Sequence, residues 1–289
     1  MNMLMSSGYE MINSGLSRSP GGVTHYNQSS VWSSENYLQN ENEYKRFQTV
    51  INLIPSNISS LLDVGAGNGA FLRLMEDTRG GLILKGLEQS RAAIDNSICT
   101  TIITCGSGHC IPFADQSFDM TTCLEVIEHL PYGLYEPTLE EIGRVTKSYI
   151  CISVPYRERR TMLKCHYCGS TFPAWFHLRT FKKSAMEGLF AGFELIRLVQ
   201  VFIPERLPFP SPRWVWRSLF RRGPKTMGPD TICPSCGFRD NRNEQSDDSQ
   251  ATGGVSVVRQ FKYTLKNMMP IKNECRWMVA LYSRSRANK

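Results

Sequence analysis

No stretch of the chain approaches the ~18 uninterrupted apolar residues that a membrane-spanning helix requires, so no transmembrane segment is expected. The opening residues, MNMLMSSGYEMINSG, have neither a basic start nor an apolar stretch. A secretory leader is therefore not expected, and the cytoplasm is the expected compartment. Strong charge of either sign is also missing. The 33 Lys+Arg and 26 Asp+Glu leave a formal net charge of +7, which leans toward anionic partners without being a nucleic-acid footprint by itself.

What is present suits a folded domain. Hydrophobic residues make up 41% of the 289, enough for a substantial core in one large α/β domain with insertions or a domain plus a small module. The chain is organised around residues 60–69, SLLDVGAGNG. Leu61, Leu62, Asp63 and Val64 read as a short buried strand, the glycines at 65, 67 and 69 break it, and a helix begins at Ala70. A strand, a glycine-rich turn and a helix open a nucleotide-binding β-α unit, whose glycines allow a tight turn and close backbone approach to a ligand. The glycines alternate and position 70 is Ala, which differs from the GxGxxG dinucleotide spacing.

Along the chain, residues 1–36 are rich in Ser, Gly and Asn and read as a flexible arm. Residues 41–53 read as a helix with a stripe of Tyr44, Phe47, Val50, Ile51 and Leu53, ended by Pro55. Six further strands are expected at 82–87, 101–105, 118–124, 148–154, 193–202 and 276–282. Helices are expected at 90–97, 135–145, 181–192 and 255–269. Glu88 ends the second strand, about 20 residues past the glycine turn, where a carboxylate accepts from two ribose hydroxyls. Glu125, Glu128 and His129 stand at i, i+3 and i+4, so a helical turn would put them on one face. Tyr156 and Arg157 follow the fifth strand and are candidate substrate contacts. Residues 213–222, RWVWRSLFRR, are basic and aromatic. They suit either a helix packed on the domain or a peripheral contact with an anionic membrane or a lipid-linked substrate. Residues 241–254 read as a flexible polar loop.

Ten cysteines are present, and four of them form two pairs, Cys165/Cys168 and Cys233/Cys236, each followed by glycine. With no leader expected, CxxC pairs read as metal ligands before disulfides. Four thiolates favour a closed, structural, tetrahedral Zn²⁺ site, carried by insertions at 156–180 and 203–240. A redox dithiol is the alternative, but one pair would suffice for it.

Residues 61–71, Glu88, the 105–119 stretch and 125–131 together resemble the class I S-adenosylmethionine-dependent methyltransferases of the small-molecule, UbiE/UbiG-like type. Within the 105–119 stretch, Pro112, Phe113, Phe118 and Asp119 match that family, while Ser107 stands where it usually has Asp. The resemblance implies an α/β fold over 37–289: a Rossmann-like seven-stranded sheet with an antiparallel final strand and substrate-side insertions. It implies S-adenosyl-L-methionine as cofactor, with Asp63 as the strand-end acid and Gly65, Ala66 and Gly67 at the amino-acid end. Glu88 and Gln89 fall at the ribose, and Ser107 and Gly108 at the adenine, with Ile111 nearby. Glu125 would line the pocket. The Glu125, Glu128 and His129 trio suits either that lining role or a divalent cation, as in a subset of quinone-precursor methyltransferases. His129, and second His177 in the run His177-Leu178-Arg179-Thr180-Phe181, are the candidate bases.

The expected activity is therefore methyl transfer to an unidentified small-molecule, glycan or lipid-linked acceptor. Two other readings stay open. One is a methyltransferase-fold binding protein without catalysis. The other is a nucleic-acid methyltransferase, against which the sequence shows no Asn-Pro-Pro-Tyr-type run after the fourth strand.

Overall fold

The computed structural model describes residues 26–27, 29–32, 36–207, 224–227, 231–238 and 269–285. Helices are α1 Ser29–Trp32, α2 Asn36–Gln39, α3 Glu41–Leu53, α4 Ala70–Thr78, α5 Arg91–Asp95 and α6 Tyr135–Val145. Strands are β1 Ser60–Val64, β2 Ile83–Glu88, β3 Ile103–Cys105, β4 Phe118–Leu124, β5 Thr146–Pro155, β6 Met162–Lys164, β7 Thr171–Pro173, β8 Phe193–Arg206, β9 Lys225–Thr226 and β10 Ile271–Arg284.

Seven strands form one sheet in the order β3-β2-β1-β4-β5-β10-β8. The first five run parallel. The last strand in sequence, β10, enters between β5 and β8 and is antiparallel to both. The strand order reverses beside β1, and in an open parallel sheet that reversal leaves a crevice at the carboxyl ends of the strands.

Alternation along β1 divides the core. Leu61 faces one layer with Phe47, Val50 and Ile51 of α3 and Phe71, Leu72 and Met75 of α4. Leu62 faces the other, with Ile142 and Val145 of α6 and with Phe181, Met186 and Phe190. Helix α3 begins under Asn40, whose side chain accepts from the Asn42 and Glu43 amides. Tyr44 of the expected stripe is exposed instead.

The helix expected at 181–192 does not form. Only a 3₁₀ turn, Lys183–Ala185, is present. Phe181, Met186 and Phe190 spend their apolar surface on the sheet, and Gly188 and Gly192 take φ of +66° and +76°, which no helix continues through. Strands β8 and β10 run longer than expected, pairing from Arg206 with Ile271 through Phe193 with Arg284. Pro204 is tolerated because β8 is the sheet edge.

The two insertions meet in a second sheet, ordered β7-β6-β9, around Leu163, Phe172, Phe176 and Met227. Residues 1–25 of the arm, the 213–222 segment, the 241–254 loop and 255–268 of the expected last helix lie outside the described residues.

Tyr282 is fully buried on β10, and its hydroxyl donates to the Met186 carbonyl at 2.8 Å. Tyr282→Phe removes that donor from a buried acceptor and should lower stability by about 1–2 kcal/mol in urea titration, with an unchanged slope.

Candidate functional site

Past Val64 the chain turns through Gly65, Gly67 and Gly69 at φ of +77°, +55° and +79°. Space demands glycine there as firmly as conformation does. A Cβ on Gly65 would stand 2.4 Å from Val126 Cγ2, and one on Gly69 2.4 Å from Cys99 Sγ. The turn hangs on β2: Gly65 N and Ala66 N both donate to the Leu87 carbonyl, at 2.8 and 3.0 Å. One residue on, Glu88 Oε2 accepts from Gly67 N at 2.9 Å and Oε1 from Ser90 N at 2.8 Å. Burial pushes the Glu88 carboxyl upward, against the Ser90, Gly67 and Gln89 amides that favour its charged form. A carboxylate offers about four acceptor positions, so capacity remains for a ligand diol. The Gln89 side chain is exposed.

Asp63 is buried beneath the turn, with Oδ1 accepting from Thr122 Oγ1 at 2.6 Å. Burial raises its carboxyl to about 7, opposed by the Thr122 bond and the Arg46 charge. On the other side, Gly106 N donates to the Glu88 carbonyl at 2.9 Å, bringing the loop after β3 against β2. Gly108 packs on Thr138 and Val64. Ser107 Oγ hydrogen-bonds His109 Nδ1 at 2.7 Å, and Ile111 is buried. The structure thus gathers Asp63, Gly65, Ala66, Gly67, Glu88, Ser107 and Gly108 along the carboxyl edge of β1, β2 and β3. The N-terminal segment crosses the same edge. The Tyr26 carbonyl accepts from Trp32 Nε1 at 2.5 Å and Ser90 Oγ at 2.6 Å, and the Trp32 ring covers Gly67.

The run after β4 is not the expected helical turn. Glu125 takes φ of +58°, and His129 N closes on the Val126 carbonyl at 3.0 Å. Glu125 therefore leaves the other two. Its carboxylate accepts from Ser153 Oγ at 3.1 Å and Trp277 Nε1 at 2.8 Å. A bulge between Cys275 and Trp277 interrupts the β10 register there. Buried Arg46 donates to the same Ser153 hydroxyl at 3.0 Å and to Glu43.

Glu128 is fully buried, and neither carboxylate oxygen has a hydrogen-bond partner among the described residues. Burial, and then the Glu125 charge, push its carboxyl well above the usual range. Beside it stand His129 and His177, rings 4.5 Å apart. Backbone bonds bring His177 there, because Leu178 N and Arg179 N both donate to the Glu128 carbonyl, at 2.7 and 3.3 Å. His177 Nδ1 bonds Glu158 Oε2. Burial works against the Glu158 charge, but His177, Arg276 and Arg160 hold the carboxyl below its usual range. The Tyr26 ring meets His129 edge-on at 5.5 Å, joining this cluster to the glycine turn.

Arg46, Glu158 and Trp277 were not among the residues singled out from sequence. The only available sign for Arg46 was Glu43 at i−3 within an apolar stripe. Nothing local marks Glu158, whose partner is 19 residues away.

The four cysteines converge. Cys165 Sγ lies 3.8 Å from Cys236 Sγ and Cys168 Sγ 3.6 Å from Cys233 Sγ, with all four within 4.8 Å of one another. Each pair is built alike: Gly169 N donates to the Cys165 carbonyl and Gly237 N to the Cys233 carbonyl, both glycines at positive φ. The Ser170 hydroxyl and amide pull the Cys168 thiol down to about 6. At Cys236 the Phe238 amide favours the thiolate, but burial and the neighbouring sulfurs push the thiol up to about 12. Four sulfurs this close suit one tetrahedral cation, with no position left open.

Residues 62–149 match the family described as a methyltransferase domain. No curated protein matches the chain. Among solved structures, one match is a chain from the Haloferax volcanii complex between the Trm112 methyltransferase activator and a protein designated a methyltransferase. It is 14% identical with a TM-score of 0.51, over 90% of this chain and 97% of that one. SAM-dependent methyltransferases of Archaeoglobus fulgidus (13% identity, 86% and 96% coverage, TM-score 0.47) and Aquifex aeolicus (17%, 60% and 93%, 0.46) also match. The sheet order, the family match and the first likeness establish a methyltransferase fold, here carrying a four-cysteine cluster able to bind a metal. No helix among the described residues is long and apolar enough to cross a membrane.

Asp63 holds its proton up to about 7 when folded and releases it near 3.9 when unfolded. Between those values the native state binds more protons, so this group's contribution makes stability fall as pH rises from about 4 to about 7. Asp63→Asn should flatten that limb in urea titrations across the range. If the cluster holds zinc, Cys233→Ala should lose it and loosen both insertions together, read as a lower Tm and as faster amide exchange in 162–173, 225–227 and 231–238.

Proposed function

We propose that this chain is an S-adenosylmethionine-dependent methyltransferase acting on a small-molecule, or lipid- or glycan-linked, acceptor, with a structural zinc on its four cysteines. The observation that carries the reading is the pairing of a glycine cradle with a buried acid. Gly65 and Gly67 form a turn at the end of β1 that only glycine fits, packed on Val126 and Trp32, and Glu88 stands at the end of β2 with acceptor capacity to spare. That combination fits a ligand with a charged amino-acid end and a ribose diol. The match over 62–149 covers these same residues.

When bound, the cofactor supplies a methyl group made electrophilic by its sulfonium. The chain's own residues hold and orient. The turn at 65–67 would receive the amino-acid end, Glu88 the ribose hydroxyls, and Ser107, Gly108 and Ile111 the adenine. The Trp32 ring, packed on Gly67, would shield that end from water. Alignment of the acceptor is then the main task, since a well-placed nucleophile recovers much of the barrier. Where the acceptor is a hydroxyl or an ammonium, its proton has to leave. His129 and His177 are the histidines gathered at that end, the second oriented by Glu158.

Calorimetric titration with S-adenosylmethionine and S-adenosylhomocysteine tests the reading. Both should bind saturably. Glu88→Ala should weaken them roughly ten- to a hundredfold, the value of charge-assisted hydrogen bonds at about 1.5–3 kcal/mol. Gly65→Ala should weaken them too, because a Cβ at φ +77° is strained and would force the turn and Val126 apart. Absence of binding by folded, zinc-loaded protein would leave a methyltransferase-fold platform without catalysis.

A further inference from the structure

We propose that Glu128, His129 and His177 form a second metal site, distinct from the four cysteines, which holds one divalent transition-metal ion with a coordination position open to the methyl acceptor. The three residues each bring one ligand-type atom within 4.8 Å of the others. A tetrahedral ion with ligands at about 2.0–2.1 Å spaces them about 3.3 Å apart, so binding draws the set together by about 1.5 Å at most.

The first support is Glu128. A carboxyl group shut away from water without a hydrogen-bond partner costs a few kcal/mol even when it holds its proton, unless something compensates it. Here both oxygens are buried without a hydrogen-bond partner among the described residues, and they stand beside two imidazoles. The neighbouring acid does not share the site, because Glu125 is already held by Ser153 and Trp277. The trio that assembles in space is therefore not the one adjacent in sequence.

The second support is Glu158. Its carboxylate bonds His177 Nδ1, which leaves Nε2 for an ion. A histidine that ligates a metal through one nitrogen while giving the other to a carboxylate is the usual outer-shell arrangement around such ions. The His177 segment is also fixed by two backbone bonds to Glu128 itself, so ligand and ligand share one scaffold. Tyr26, which touches both His129 and Ser90, places the cluster next to the cofactor turn.

The donor set names the ion class. Two imidazoles and one carboxylate suit zinc and the other borderline transition ions better than magnesium or calcium, which prefer all-oxygen shells. Three protein ligands also leave a fourth position, unlike the closed cysteine cluster. An acceptor hydroxyl bound there would lose its proton more readily and sit fixed for transfer. That role rests on the methyltransferase reading above, whereas the metal site itself does not.

The test loads the full-length protein with zinc until the cysteine cluster is filled, then titrates further zinc and measures bound metal per chain. Wild type should take up one more equivalent. Glu128→Gln and His177→Ala should stop at the cysteine-bound zinc while keeping the wild-type near-ultraviolet circular dichroism. Glu158→Gln should bind the added zinc about 10–100-fold more weakly. Should Glu128→Gln fail to fold, His129→Asn carries the same comparison from a half-buried position. Wild type that takes up no further zinc would overturn the proposal, as would variants that bind as wild type does. Titrating S-adenosylhomocysteine into the same preparations separates the two claims: a second zinc without cofactor binding keeps this site and removes the methyltransferase reading.

Discussion

One buried guanidinium sets the geometry of the whole carboxyl edge. Arg46 sits on α3 at 4% exposure, where an unpaired charge would cost several kcal/mol. It is compensated on every side. Glu43 accepts two bonds, Ser153 Oγ a third, and the rings of Phe47 and Trp277 lie 4.6 and 5.7 Å from its carbon. Ser153 passes the constraint to Glu125, and Glu125 to the Trp277 indole. One polar chain thus pins α3, β5, the end of β4 and β10 together. With Glu125 held in that chain, the backbone turns at +58°, and Glu128 and His129 are left outside its hydrogen bonds. The division between a structural acid and a chemically available acid follows from Arg46.

The same turn reaches back to the glycines. Val126 fills the space that a side chain on Gly65 would need, so the loops after β1 and β4 are cut to each other's shape across the strand-order reversal. The Leu87 carbonyl accepts both amides at the head of the turn, and Glu88 accepts the next one. The backbone of this edge is thereby already committed, and what is left over is the spare acceptor capacity of the Glu88 carboxylate. Preorganisation of that kind lowers the ordering cost of binding.

Local signals carried β4 and α6 in full, since period and boundary residues agree there: both were expected, and both run, at 118–124 and 135–145. They also carried the cysteine cluster, because CxxC-Gly is self-describing at each half and duplication implies the meeting. The failures share a cause. Residues 181–192 have helical spacing of apolar side chains, yet the sheet takes those side chains singly and the glycines end each turn. Glu125, Glu128 and His129 have helical spacing too, but a tertiary bond to Trp277, 152 residues away, decides the backbone. Glu158 and Arg46 act through partners that periodicity cannot reveal. The glycine turn was legible because its constraint is intrinsic to the residue type; Glu128, His129 and His177 were each singled out too, but their meeting beside Glu158 was not, because it joins segments far apart in the chain.

The two halves of the cysteine cluster lie on either side of β8 in the chain, with Cys168 and Cys233 65 residues apart. An ion bound there would clasp a long loop whose contents include the sheet's exposed margin. The entropy of closing such a loop grows with the logarithm of its length, and a clip that fixes its ends removes that cost from folding. Among the described residues no strand pairs with the outer side of β8, and an open sheet margin is a template for pairing with other chains. If the cluster holds an ion, its loss would be felt along β8, as a matter of solubility.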